Sequence, residues 1–143
     1  DGWLEAEKGR AFDWQSALDF NGQAAPYIQY AHVRANSILR KLEQPLPGSL
    51  TPAYSLDPTE IELIDKLSRL PGEVQRAATE QKTLYITNIA YEIARAFTDF
   101  YAACPVLKTE PHIRDSRLRL AAAARQAIAN ALWMLGITAP DVM

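Results

Sequence analysis

The side chains that could carry out chemistry in this sequence are few, and their spacing does not suit catalysis. The two histidines, His32 and His112, stand in neither the H-E-x-x-H spacing of a zinc site nor the E-x-x-H spacing of a di-iron bundle. Cys104 falls at the predicted end of a helix, where the helix dipole raises the pKa of a thiol and weakens it as a nucleophile. Neither G-x-G-x-x-G nor G-x-x-x-x-G-K occurs, so the sequence has no glycine-rich phosphate loop. We therefore predict no catalytic residue, no metal ligand and no cofactor in this chain.

Two groups of charged residues lie near predicted helix starts. For Glu60, Glu62 and Asp65 we favour simple placement near the positive end of a helix dipole over paired acid–base work. Arg114 and Arg117 lie near the start of the last predicted helix, where the dipole disfavours cations. They form either a solvated or salt-bridged helix end, or a contact with a phosphate or a partner domain.

A helix predicted to begin at Pro26 carries a polar stripe that could bind flat aromatic groups. Tyr27, Tyr30, Arg34 and Lys41 share this stripe, about 100° around the helix from the apolar stripe. Unpaired nucleobases stack on tyrosine rings and on guanidinium planes, and Lys41 could contact a phosphate or another domain. The alternative for the two tyrosines is core filling or a helix–helix contact. The polar stripe of this helix therefore predicts a binding role and not a catalytic one.

His32 lies in the same helix, near the edge of its apolar stripe. We favour a packing or hydrogen-bonding role for His32 over direct contact with a ligand. The sequence assigns it no specific partner.

Apolar residues recur with a helical period along most of the chain and predict an all-α helical bundle. The predicted apolar stripes comprise Ile28, Ala31, Ala35, Ile38 and Leu42; Ile61, Ile64, Leu67 and Leu70; Ile86, Ile89, Ala90, Ile93, Ala94, Phe97, Phe100 and Tyr101; and Leu120, Ala121, Ala124, Ile128, Ala131, Leu132 and Leu135.

Prolines and glycines set the expected limits of these helices. Residues 44–58, with four prolines, predict a loop that ends in Asp57 as a helix cap. Pro71 and Gly72 predict a break before a short helix over residues 73–79. Long helices are predicted over residues 83–103 and 113–135, with Gly136 as the residue that follows the last helix. A short helix is also predicted over residues 14–18.

Composition limits the classes of function. The chain has 143 residues, a net charge of −2 and one cysteine. The charge argues against nucleic-acid binding by bulk electrostatics, and one cysteine excludes an internal disulfide. The sequence has neither an apolar run of about 20 residues nor a secretory signal, so we expect no membrane span and a cytoplasmic location. Because it begins with Asp1 and not with methionine, we expect either a piece of a longer protein or a processed product.

Four stretches of the sequence match the pattern of a known family. Residues 12–41 include APYIQYAHVR, residues 100–107 read FYAACPVL, residues 117–132 read RLRLAAAARQAIANAL, and residues 135–143 read LGITAPDVM. In this order and spacing they resemble the C-terminal, DALR-type anticodon-binding domain of class I arginyl-tRNA synthetases. Ala25 stands where many members have glycine, and Val142 stands where the family usually has arginine or lysine.

The resemblance implies a helical bundle of the class I aminoacyl-tRNA synthetase anticodon-binding type, forming one domain over residues 1–143. Residues 1–20 would lead in from a catalytic half that is missing here, and residues 21–143 would form the bundle. The family pattern maps contacts with the tRNA anticodon loop onto Asn21, Gly22, Gln23, Tyr27, Tyr30, Arg34, Tyr101 and Met143. Tyr101 and Met143 rest on the resemblance alone.

The implied partners are an arginine-accepting tRNA and the catalytic domain of the same polypeptide, in a monomer. The full-length enzyme would attach arginine to its tRNA with ATP and Mg. The HIGH-type and KMSKS-like motifs of that catalytic half do not occur here, so this chain alone is predicted to be inactive. The alternative is a helical adaptor whose Tyr/Arg face binds a partner helix.

Overall fold

Four helices form the part of the chain that the computed structural model describes, residues 25–42, 45–46, 48 and 52–143. They are α1 (Ala25–Arg40), α2 (Pro58–Glu80), α3 (Leu84–Ala103) and α4 (Pro111–Met134). These described residues contain no β-strand, so the prediction of an all-α bundle is confirmed. The predicted helix over residues 14–18 and the segment 1–20 lie outside the described residues. None of the four helices combines the length and apolar character of a membrane span.

The core of the bundle lies between α3 and α4, with α1 and α2 packed against this pair. α3 supplies the largest fully buried rings, Phe97 and Phe100. The remaining large buried side chains are Ile28, Leu63, Ile89, Ile93, Leu118, Ile128 and Leu132. Fully buried alanines such as Ala94 and Ala124 let the helices approach closely. The predicted stripe of α3 is confirmed except at Tyr101, which is exposed.

Helix α2 begins as predicted but does not break as predicted. The Asp57 carboxylate accepts a hydrogen bond from the Thr59 backbone N–H (2.9 Å), and the Glu60 carboxylate accepts one from the Asp57 N–H (2.7 Å), which completes a capping box. The helix then continues through Pro71 and Gly72 as far as Glu80, so the predicted separate helix over residues 73–79 is wrong. Pro71 and Gly72 are exposed, and packing of the same helix through Leu70 and the buried Ala77 holds the chain helical on both sides.

The buried face of α2 also differs from its predicted stripe. Ile61 and Ile64 are 54% and 42% exposed, whereas Glu60 and Leu63 are buried. The true stripe is therefore shifted by one residue at the start of the helix. The shift brings Glu60 into the interior, whereas the sequence predicted only a position near the helix dipole for this residue.

After the end of α4, the chain turns back toward α1. Gly136 has φ = +71°, its N–H donates to the Trp133 carbonyl (3.0 Å), and the Ile137 N–H donates to the Leu132 carbonyl (2.9 Å). This pair of bonds is a Schellman motif, and it confirms Gly136 as the residue that closes the helix. Ile137 packs against the core, and the chain from Thr138 onward returns along α1.

Candidate functional site

Tyr30, Arg34 and Tyr101 form one cluster on the surface between α1 and α3. The guanidinium carbon of Arg34 lies 4.7 Å from the centroid of the Tyr30 ring and 4.9 Å from that of Tyr101. Arg34 also donates a hydrogen bond to the Tyr30 hydroxyl (2.9 Å). Each cation–π contact contributes about 0.5–1 kcal/mol at an exposed site. We call these three residues the Arg34 cluster.

Both rings of the Arg34 cluster remain accessible to a ligand. Tyr30 is 48% exposed and Tyr101 is 43% exposed. The i, i+4 spacing of Tyr30 and Arg34 places them on one face of α1, and the last turn of α3 supplies Tyr101. Tyr101 packs on the fully buried Phe97, with their ring centroids 6.4 Å apart. The cluster is therefore ordered by contacts within the protein before any ligand arrives.

Tyr27 sits differently from the other two predicted tyrosines. Its ring packs against Tyr91 of α3, with centroids 5.4 Å apart and an interplanar angle of 44°. It is partly buried against the core. This contact supports the helix–helix alternative for Tyr27, and its predicted contact with RNA stays a prediction.

Sequence reasoning missed a second feature of α1, a row of polar side chains that hold the returning chain. Gln29 Nε2 donates to the Thr138 carbonyl (2.8 Å), and His32 Nδ1 bonds the Pro140 carbonyl (2.9 Å). Asn36 Nδ2 donates to the carbonyl (3.3 Å) and side chain (3.2 Å) of Asp141. We call this set of bonds the tail seam, and the residues it holds, 138–143, the tail.

The tail seam includes two further contacts, and its geometry assigns a role to His32. Arg40 donates to the Asp141 carbonyl (2.9 Å), and Arg125 of α4 donates to the Asn36 side-chain oxygen (3.3 Å). Because a carbonyl only accepts, Nδ1 of His32 must carry the proton in this contact. The buried His32 is thus a hydrogen-bonding residue, the role that the sequence favoured. Val142 and Met143 follow the seam and are exposed.

The predicted basic contacts fall into two kinds. Lys41 and Arg114 are accessible: Lys41 is exposed, and Arg114 pairs with the neighbouring Asp115 (3.1 Å) while its side chain stays 42% exposed. Arg117 points inward, where its Nε donates to the Glu60 carboxylate (2.9 Å) and another guanidinium nitrogen donates to the Pro105 carbonyl (3.0 Å). These contacts favour the salt-bridged interpretation for Arg117. The predicted contacts of Asn21, Gly22 and Gln23 lie outside the described residues.

Two residues near the Glu60–Arg117 pair have raised pKa values, and burial is the largest cause for both. Tyr54 donates a hydrogen bond to the Glu60 carboxylate (2.8 Å), and burial together with this bond raises the pKa of Tyr54 to about 12. Burial likewise raises the pKa of the Cys104 thiol, so its weakness as a nucleophile is due first to desolvation. Within the described residues, no group of three or more His, Cys, Asp or Glu side chains is arranged to hold a metal ion.

The chain matches a known protein family over most of its length. Residues 28–143 match the family described as the DALR anticodon binding domain. The chain is 45% identical to an arginine–tRNA ligase of Pyrococcus furiosus and 43% identical to that of Methanocella arvoryzae, over 96% of its own length in each case. It covers only 23% and 24% of those two proteins.

Solved structures give the same result. The chain superposes on a Thermus thermophilus arginyl-tRNA synthetase with a TM-score of 0.83 and 34% identity, over 92% of this chain and 23% of that one. An arginyl-tRNA synthetase from Plasmodium falciparum, at 20% identity and a TM-score of 0.77, shares the fold. The helices, their packing and the sequence match all agree, and the chain belongs to the DALR anticodon-binding domain family.

Proposed function

We propose that this domain binds the anticodon loop of an arginine-accepting tRNA. The observation that carries the proposal is the Arg34 cluster, which combines two half-exposed rings and a guanidinium held between helices. Sequence-specific RNA recognition acts mostly on unpaired loop bases, which stack on such groups. The net charge of −2 fits this mode, because stacking needs no broad basic surface.

The accessible cations near the cluster have a matching role. Arg34 itself supplies charge at the stacking site, and the exposed Lys41 lies in the turn that directly follows α1, about two helical turns beyond Arg34. A phosphate of a bound loop would be attracted to these groups. The cluster would therefore hold the bases while a few local cations orient the backbone.

The wider protein is also a proposal. The relatives named above are arginine–tRNA ligases of which this chain spans about a quarter. We infer that a catalytic domain elsewhere in the same polypeptide activates arginine with ATP and Mg, in the cytoplasm and as a monomer. These 143 residues, which lack the HIGH-type and KMSKS-like motifs, would catalyse no ATP–pyrophosphate exchange alone.

Binding of a labelled stem-loop tests the function directly. The domain is titrated at low salt with an arginine-tRNA anticodon stem-loop and with an unrelated stem-loop. Tyr30→Ala, Arg34→Ala and Tyr101→Ala should each weaken binding of the first by about 5- to 150-fold, the equivalent of about 1–3 kcal/mol of lost stacking. Arg76→Ala is the matched control, since Arg76 stacks on Tyr85 at 4.1 Å on another surface.

Two results would refute the proposal. One is equal affinity of the unaltered domain for both stem-loops. The other is the same loss of affinity from Arg76→Ala as from Arg34→Ala. Circular dichroism of each variant should show unchanged helicity, because the Arg34 cluster lies on the surface.

A further inference from the structure

The tail seam and the Arg34 cluster lie on opposite flanks of α1. At about 100° per residue, Gln29, His32 and Asn36 are centred about 140° from Tyr30 and Arg34 around the helix. The core-facing stripe occupies the larger arc between the two groups. The smaller, outer arc carries Val33, which is partly exposed, and Ser37, which is exposed.

The family resemblance already implies that Met143, at the end of the tail, contacts the anticodon loop. We propose that Gln29, His32 and Asn36 are positioning residues that set where the tail, and with it Met143, meets that loop. This inference rests on the proposed function. A loop that lies across the outer arc of α1 would meet the Arg34 cluster on one side and the tail on the other. The seam residues contact no RNA in this arrangement; they act by fixing where Val142 and Met143 stand.

The contacts of the seam suit a positioning role. Three side chains from successive turns of α1 bind the tail at residues 138, 140 and 141, so the tail runs along α1 in the direction of the helix. His32 and Asn36 are buried. The side-chain oxygen of Asn36 accepts a hydrogen bond from Arg125, and the side-chain nitrogen of Asn36 donates one to Asp141. Such an amide has one orientation that satisfies both partners. The residues that follow are exposed and free to meet a ligand.

The alternative is that the seam only stabilises the bundle. A double-mutant cycle separates the two roles, because residues that act through one route are not additive. The two changes are Asn36→Ala and removal of Val142 and Met143. If Asn36 acts by placing these two residues, Asn36→Ala should have no further effect once they are gone.

The measurement is affinity for the arginine-tRNA anticodon stem-loop. We expect each change alone to weaken binding about three- to tenfold, on the order of the loss of one buried methylene contact, because both changes remove the same contact between the tail and the RNA. The two together should weaken it no more than the stronger one alone. Gln126→Ala is the control, since Gln126 makes an exposed amide–amide bond to Asn130 on α4 (2.8 Å) and should leave affinity unchanged.

A second readout reports on the tail without RNA. The ¹H–¹⁵N heteronuclear NOE of the Val142 and Met143 amides should fall in Asn36→Ala and stay unchanged in Gln126→Ala. If Asn36→Ala strongly lowers the melting temperature, Gln29→Ala is used in its place. This substitution removes one exposed hydrogen bond to the tail and leaves the bonds of His32 and Asn36 intact.

The outcomes separate the two proposals. Selective binding by the unaltered domain, with unchanged affinity in Asn36→Ala and Gln29→Ala, overturns the role of the seam alone. Additive losses in the cycle overturn it as well, since the seam and the tail end would then act independently. Equal binding of both stem-loops by the unaltered domain overturns the proposed function and the role of the seam with it.

Discussion

Replacing Arg117 by methionine would test whether this arginine serves the fold. Its guanidinium pairs with the Glu60 carboxylate at 2.9 Å, and the exposed fractions of the two side chains are 13% and 1%. Methionine keeps most of the volume of the arginine stem and removes the charge. Glu60 would then be a buried carboxylate without its cation.

The expected loss of unfolding free energy depends on the hydrogen bonds that Glu60 retains in the variant. Removing one partner of a buried ion pair costs about 3–5 kcal/mol, mostly because the other charge is left uncompensated. Glu60 retains hydrogen bonds from the Tyr54 hydroxyl and the Asp57 N–H, so we expect the lower end of that range. A loss of about 3 kcal/mol lowers the melting temperature of a domain of this size by about 10 °C.

Urea unfolding followed by circular dichroism measures this cost. Arg114→Met is the matched control: Arg114 is exposed beside Asp115, and exposed pairs contribute about 0–1 kcal/mol. The double variant Glu60→Leu, Arg117→Met should recover much of the loss, since apolar side chains often replace a buried pair without cost. A change below about 1 kcal/mol in Arg117→Met, well under the range for a broken buried pair, would refute a structural role and return Arg117 to the candidate phosphate contacts.

Two further predictions concern backbone geometry and pH. Gly72→Ala should raise the free energy of unfolding by about 0.5–1 kcal/mol, because a helical alanine orders more cheaply than glycine and its Cβ would meet no atom within 4 Å. Gly136→Ala should lower it by about 1–2 kcal/mol, because φ = +71° is strained for alanine; equal effects in urea unfolding would contradict this account. The pKa of Tyr54, raised to about 12, favours the protonated phenol in the folded state. That stability is complete below the unfolded pKa of about 10 and is lost as the pH rises toward 12, so the urea midpoint should fall more in the unaltered domain than in Tyr54→Phe.

Helices α3 and α4 could be predicted closely from the sequence because local signals agreed with packing. The predicted range 83–103 became Leu84–Ala103, where the apolar period is unbroken and Pro105 follows the end. At α4, Gly136 supplied the positive φ that ends a helix. These signals lie within one or two turns of the residues that they organise.

Helix α2 could not be predicted as well, because its structure depends on distant partners. Glu60 is buried by pairing with Arg117, 57 residues away, and this pairing sets which face of α2 turns inward. Pro71 and Gly72 are strong local breakers, but packing of the helix on both sides outweighs them.

The candidate site likewise contains residues that could be predicted from the sequence and residues that could not. Tyr30 and Arg34 were found because they are neighbours on one helix, whereas the resemblance alone brought in Tyr101 from α3. The tail seam was missed because its acceptors are mostly backbone carbonyls, which no side-chain pattern reveals. A polar row at 29, 32, 36 and 40 was the available signal.

The long sequence separation of the tail seam has a consequence for the order of folding. Its bonds between α1 and the tail join residues 101 to 109 positions apart, whereas α2, α3 and α4 follow one another through short connections. Closing such a distant contact is entropically expensive, so α1 and the tail should join the bundle last and separate from it first. Under the proposed function, such a local opening would abolish binding of the anticodon loop while leaving most of the helicity intact.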